Sequence, residues 1–146
     1  MSITQGSITV YQKIVVPVAL VHAERLEKAL AIAADLGQHY GATLHMVGVT
    51  APGPDEVSHS AEQFKEKLAE FASKQSADRG VEFHSHAVIT ADPVTELDRC
   101  LDRYIHEINA DLVVMASHVP GFRDYVFASN AGFLASHTDV SVFVVR

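Results

Sequence analysis

Five short apolar runs, most of them rich in β-branched residues, recur along this chain, and each of the first four gives way to a stretch long enough for a helix. The runs are KIVVPV (13–18), TLHMVGVT (43–50), VEFHSHAVI (81–89), ADLVVMAS (110–117) and VSVFVV (140–145). Short runs of this kind, bounded by polar or turn-forming sequence, predict buried strands. Strands that alternate with helices of this length predict an α/β fold, a mostly parallel sheet with helices on both faces. Right-handed crossovers leave only a few doubly wound topologies, and in those a ligand sits at the carboxyl ends of the strands where the order reverses.

The helical stretches carry their own signals. Leu26, Leu30, Ala33 and Leu36 recur at helical spacing between about Ala23 and Tyr40, and Gly41 follows as a stop. Phe64, Leu68, Phe71 and Ala72 mark a second helix ending near Arg79-Gly80, after the proline- and glycine-rich loop 51–60. Asp92-Pro93 is a strong helix opening, because Asp accepts from free amides and Pro fits the first helical position. The stripe Val94, Leu97, Leu101, Tyr104, Ile105 and Ile108 then has the cleanest helical period of the chain. A last helix is expected through His137. With no linker, internal repeat or low-complexity tract, residues 1–146 are expected to form one domain.

Composition removes several functions. The formal charge of −7, with no Lys/Arg cluster, argues against a nucleic-acid partner. No run approaches the roughly 18 apolar residues of a membrane span, and the opening MSITQGSITVYQK lacks the pattern of a signal peptide. Cys100 is the only cysteine, so no intrachain disulfide forms, and a reducing, cytoplasmic location is expected.

The segments KIVVPV…RLEKALAIAADLGQHYGATLHMVGV and DLVVMASH…VSVFVV resemble the universal stress protein family across nearly the whole chain. The resemblance implies a five-stranded parallel sheet in the order 3-2-1-4-5. It also implies where a nucleotide would sit. Binding members of that family end strand one with an aspartate, in a pattern like V-P-V-D, and carry G-x2-G-x9-G-[S/T] from the end of strand four into the next helix. On this chain the aspartate position is Ala19, the first two glycines fall on Ala116 and Val119, the third on Ser129, and the following hydroxyl on Asn130. Ser117 and His118 alone match a binding member.

These departures have a physical meaning. A phosphate-gripping turn works because glycines let backbone amides approach and point at anionic oxygens, with a helix N-terminus behind them. Val119 puts a branched side chain where close approach is needed, Pro120 removes a donor, Phe122 adds bulk, and Asp124 adds negative charge. Gly121, Arg123, Ser129 and Asn130 remain as groups for a rebuilt anion site. Ala19, Ala116, Ser117, His118, Val119, Gly121, Arg123, Ser129 and Asn130 thus outline a vestigial nucleotide site. The expectation is a chain of the family's non-nucleotide-binding branch, with no cofactor and ATP disfavoured. The rival reading is an ATP- or AMP-binding regulator, or a slow ATP hydrolase, that uses Arg123, Ser129 and Asn130. A third, a flavodoxin- or Rossmann-like enzyme, would need glycines after strand one, and PVALVHAE has none.

No other constellation predicts chemistry. His84-x-His86 puts two imidazoles on one strand face, too few for a metal site and better read as polar residues of an edge strand. Ser117-His118 lacks the G-x-S-x-G elbow of a hydrolase. Cys100, on or beside the apolar stripe, is expected to be a small half-buried hydrophobe. No catalytic residue and no metal ligand are assigned.

The last strand predicts a partner. In the order 3-2-1-4-5, strands three and five are the edges. Strand three carries Glu82, His84 and His86, whereas VSVFVV has no charge, proline or lysine to block pairing. A second copy would cover that edge symmetrically, through Val140, Val142, Phe143 and Val144, and the family resemblance implies a dimer through the same strand. Coverage by the N-terminal SITVY (7–11) or by the last helix is the alternative. The overall expectation is a cytoplasmic homodimer that acts through contacts with an unknown protein partner in stress resistance, without catalysis.

Overall fold

The computed structural model describes residues 10–54, 59–116 and 139–146. Five strands form one parallel sheet in the order β3-β2-β1-β4-β5: β1 (Lys13–Pro17), β2 (Thr43–Thr50), β3 (Phe83–Ile89), β4 (Leu112–Ala116) and β5 (Ser141–Val145). Three helices are described, α1 (Glu27–Tyr40), α2 (Ala61–Arg79) and α3 (Pro93–Glu107), together with a 3-10 segment at Leu20–Leu26. This is the expected sheet order, with β3 and β5 at the edges. The helix expected through His137 lies outside the described residues.

Side chains alternate across the sheet and divide the core in two. Ile14, Val16, Leu44, Met46, Leu112, Val114 and Val145 pack on one face with Leu30 and Ala33 of α1 and Phe64 and Leu68 of α2. Val15, Val47, Val113 and Met115 pack on the other with Leu101, Tyr104 and Ile105 of α3. The central strands face apolar neighbours on both sides, which is why their sequences read as continuous rather than alternating runs.

The helices begin and end where their caps dictate. Ser60 accepts from the Gln63 N–H at 3.1 Å, and the Gln63 side chain accepts from the His59 N–H at 2.6 Å. Asp92 accepts from the Thr95 N–H at 3.2 Å, with Pro93 in the first turn as expected. Gly41 and Gly80 close α1 and α2 with φ of 66° and 67°, a left-handed conformation that suits glycine. One boundary differs from the sequence reading. The α-helix after β1 starts at Glu27 and not near Ala23, because Ala19 supplies no side-chain cap and the chain winds first as a 3-10 turn.

The ladders are unequal. β2 and β3 pair over seven positions, β1 and β2 over five and β4 and β5 over five, whereas β1 and β4 pair only at Ile14–Leu112 and Val15–Val113. Pro17 accounts for the early stop. The Val18 N–H donates to the Val47 carbonyl on β2, and the Lys13 carbonyl accepts from the Asp111 N–H on the β4 side, so odd positions of β1 face β4. At position 17 the donor owed to β4 does not exist.

Candidate functional site

The order of strands reverses between β1 and β4, so the crevice of this fold opens beyond their carboxyl ends. The short β1–β4 ladder leaves Val16 and Pro17 beyond the last hydrogen-bonded pair of that seam.

Described residues around the crevice are chemically plain. Ala19 follows β1 in an extended conformation and packs against the α3-side core. It is the position where a binding member of the resembled family has its aspartate. Ala116 ends β4, buried, and pairs with Val145. Thr50 ends β2 as the one buried polar residue of the described core, and its carbonyl accepts from the Thr90 N–H at 2.9 Å. The Thr90 hydroxyl is hydrogen-bonded to the Glu96 carboxylate on α3. Across the ends of β1 to β4 and the described residues after them (18–21, 50–54, 90–92 and 116), Asp92 is the one charged side chain. At the described ends of β1 to β4 this mouth therefore presents apolar side chains, hydroxyls and an acid, and the cations lie at the outer edge, where Arg146 follows β5 and its carbonyl accepts from the Lys28 ammonium at 3.0 Å. Ser117, His118, Val119, Gly121, Arg123, Ser129 and Asn130 lie outside the described residues.

The C-terminal edge is a second candidate site. Val142 packs against the α3-side core and Val145 is buried on the other face, while Phe143 and Val144 remain 42% and 38% exposed. Because neighbours along a strand point to opposite faces, the two exposed side chains flank an edge that has no strand neighbour among the described residues. Val140 packs partly against the α3-side core. Of the N-terminal segment SITVY, Val10 and Tyr11 are described. Val10 is exposed, and Tyr11 makes an edge-to-face contact with Tyr40 at the end of α1, with centroids 5.3 Å apart.

The histidines of β3 do not act together. His84 and His86 are exposed on one face, but the His84 ring stacks on His45 of β2 and the His86 ring on Tyr104 of α3. No group of three or more His, Cys, Asp or Glu residues suited to a metal occurs among the described residues. Cys100 is a free thiol and is buried, further in than the half-burial expected from its sequence position. The stacked pair His45–His84 was not legible in the sequence. The cross-strand register that joins the two depends on how β2 and β3 align, and nothing local encodes it.

A five-stranded parallel sheet in this order, with its crevice at the β1/β4 reversal, is the nucleotide-type α/β fold seen in universal stress proteins. The chain matches the Universal stress protein family over residues 10–146, and it belongs to that family. Among solved structures it is similar to a universal stress protein from Archaeoglobus fulgidus, with 19% identity, a TM-score of 0.69, and coverage of 94% of this chain and 100% of that one. It is also similar to a protein of the family from Burkholderia pseudomallei (21% identity, TM-score 0.67, coverage 92% and 96%). UspA from Lactobacillus plantarum gives 15% identity and a TM-score of 0.67, with coverage of 93% and 98%. At these identities the likeness is one of fold. No curated protein sequence matches. No described helix is long and apolar enough to cross a membrane.

Proposed function

We propose that this universal stress protein acts in the cytoplasm as a homodimer, through contacts with a protein partner, in stress resistance and without chemistry of its own. The observation that carries the reading is Ala19. A methyl group stands at the end of β1, where the family's nucleotide-binding pattern has a carboxylate, and the described residues that follow β2, β3 and β4 supply no cation. Val119 and Pro120, in the loop that would wrap the phosphates, deepen the loss by the argument from backbone donors given above. The exposed pair Phe143 and Val144 on the edge strand β5, whose outer side has no strand neighbour among the described residues, supports self-association by β5 pairing about a two-fold axis. Native mass spectrometry of gently purified protein tests both halves. The expected spectrum is a dimer with no added mass, and a stoichiometric adenine nucleotide would overturn the reading.

A second reading is motivated by relatives of the same fold. One similar universal stress protein structure is in complex with cAMP, and one from Archaeoglobus fulgidus is in complex with dAMP. On this reading Arg123, Ser129 and Asn130 replace the glycine loop as an anion site for a nucleotide. Titration with a fluorescent ATP analogue separates the two. Saturable binding that Arg123→Ala removes would support the second reading, and no saturation at millimolar ligand would support the first.

A further inference from the structure

The face that β2 and β3 turn toward α3 carries imidazoles at adjoining points. His45 lies directly across from His84 in the seven-pair ladder, and their rings stack with centroids 5.1 Å apart and planes inclined by 24°. His45 Nε2 lies 2.9 Å from the Thr43 hydroxyl. From β1, Lys13 is tethered on the same side: its ammonium donates to the Ile108 carbonyl at 2.8 Å, just past the end of α3. From β3, His86 stacks on Tyr104 of α3 at 4.6 Å, and Glu107 of α3 acts on that phenol. Glu82, in the lead-in to β3, is exposed.

We propose that the His45–His84 stack is an acid-released latch on strand β3, closed while both rings are neutral and opened when protons are taken up. A proton on either ring sets a cation against its neighbour. Beside them Lys13 is already charged, and its hydrogen bond to α3 restrains it from swinging away. The charges that act on His45 are those of His84 and Lys13, both of the wrong sign to stabilise a cation. On its outer side β3 has no neighbouring strand among the described residues, and His84, Ser85 and His86 are exposed. Repulsion at the latch is therefore relieved by moving the edge strand outward.

Titration gives the direction. Burial first, and then the charges of His84 and Lys13, hold His45 below the usual imidazole value of 6.5. A group whose pKa is depressed on folding binds fewer protons folded than unfolded. Stability is thus full above the unfolded value and falls as pH drops from there toward the folded one. The window lies just below pH 6.5.

Residue-resolved hydrogen exchange on the full chain at pH 7.5 and pH 5.5, corrected for intrinsic rates, tests the proposal. Protection of the β3 amides bonded to β2 should fall more than that of the β4 amides, by up to about tenfold, the most that linkage to one imidazole permits one pH unit below its ordinary value. His45→Gln and His84→Gln should each remove most of that excess, and His86→Gln should leave it. Parallel loss in β3 and β4, or an excess that survives both Gln variants, would overturn the latch. Imidazole NMR titration of the unaltered protein gives an independent reading, and a His45 midpoint at or above 6.5 would overturn it too.

Discussion

Asp111 and Lys13 clasp each other at the amino ends of β4 and β1. The Lys13 N–H donates to Asp111 Oδ1 at 3.1 Å, and the Asp111 N–H donates to the Lys13 carbonyl at 3.0 Å. The other carboxylate oxygen accepts from the Gln12 N–H at 2.8 Å. Two amides that precede or begin a central strand are thus satisfied by one side chain nearly a hundred residues away. Asp111→Ala strips both of an acceptor and should cost about 1–3 kcal/mol in urea unfolding, the range for orphaned polar groups. Asp111→Asn, which keeps one acceptor oxygen, should cost less.

His106 should make the protein more stable in mild acid. Its Nδ1 meets the Asp102 carbonyl at 2.8 Å, and its Nε2 lies 3.4 Å from Asp139 at the approach to β5. The backbone bond to Asp102 leads, and with the two carboxylates it raises the imidazole above its usual value. The stabilisation is complete below about pH 6.5 and is lost as pH rises through the elevated value. His106 is half exposed, so the effect is that of a screened surface pair, about 0–1 kcal/mol. The difference in urea midpoint between the protein and its His106→Gln variant should be larger at pH 5.5 than at pH 8.

Gly48 has no room for a side chain. A Cβ there would lie 2.9 Å from Phe64 Cζ, 3.1 Å from its Cε1 and 3.3 Å from Leu68 Cδ2. Both neighbours are buried core residues of α2 and have little freedom to retreat. Gly48→Ala should destabilise by about 1–3 kcal/mol through overpacking. Gly53→Ala, which meets nothing within 4 Å, should leave the thermal midpoint close to that of the parent protein.

Val144→Lys should yield a monomer if β5 is the dimer edge. The side chain is partly exposed in the single chain, so a lysine can reach water there, whereas two lysines brought together across a two-fold edge repel. Light scattering after gel filtration would show the mass halved, with far-UV circular dichroism unchanged. A variant that stays dimeric would place the interface elsewhere.

The sheet order was legible because the evidence for it is carried by whole segments. Apolar runs such as LVVMA on β4, the cap Asp92-Pro93 and the stop Gly41 each act within a few residues, and the family resemblance then fixed which strand lies beside which. The place of Ala19 at the end of β1 could be read because position alone decides it. The clasp of Asp111 on Lys13 and the stack of His45 on His84 could not be read. Each joins residues distant in the chain, through a register set by the packed sheet as a whole. The 3-10 turn at Leu20–Leu26 was missed for a different reason. Its apolar residues suit an α-helix equally well, and the missing cap at Ala19 shows its effect only in the backbone.

Pro17 leaves the middle of this sheet with its fewest backbone bonds, two matched pairs between β1 and β4. What joins the two halves there is oily contact among Ile14, Val15, Val16, Val113, Val114 and Met115, none of them reachable by water. Attraction of that sort draws its strength from the disorder it returns to the solvent, and it fades as the temperature drops. Cooling below the temperature of greatest stability should therefore weaken this crease more than the seven-pair ladder between β2 and β3.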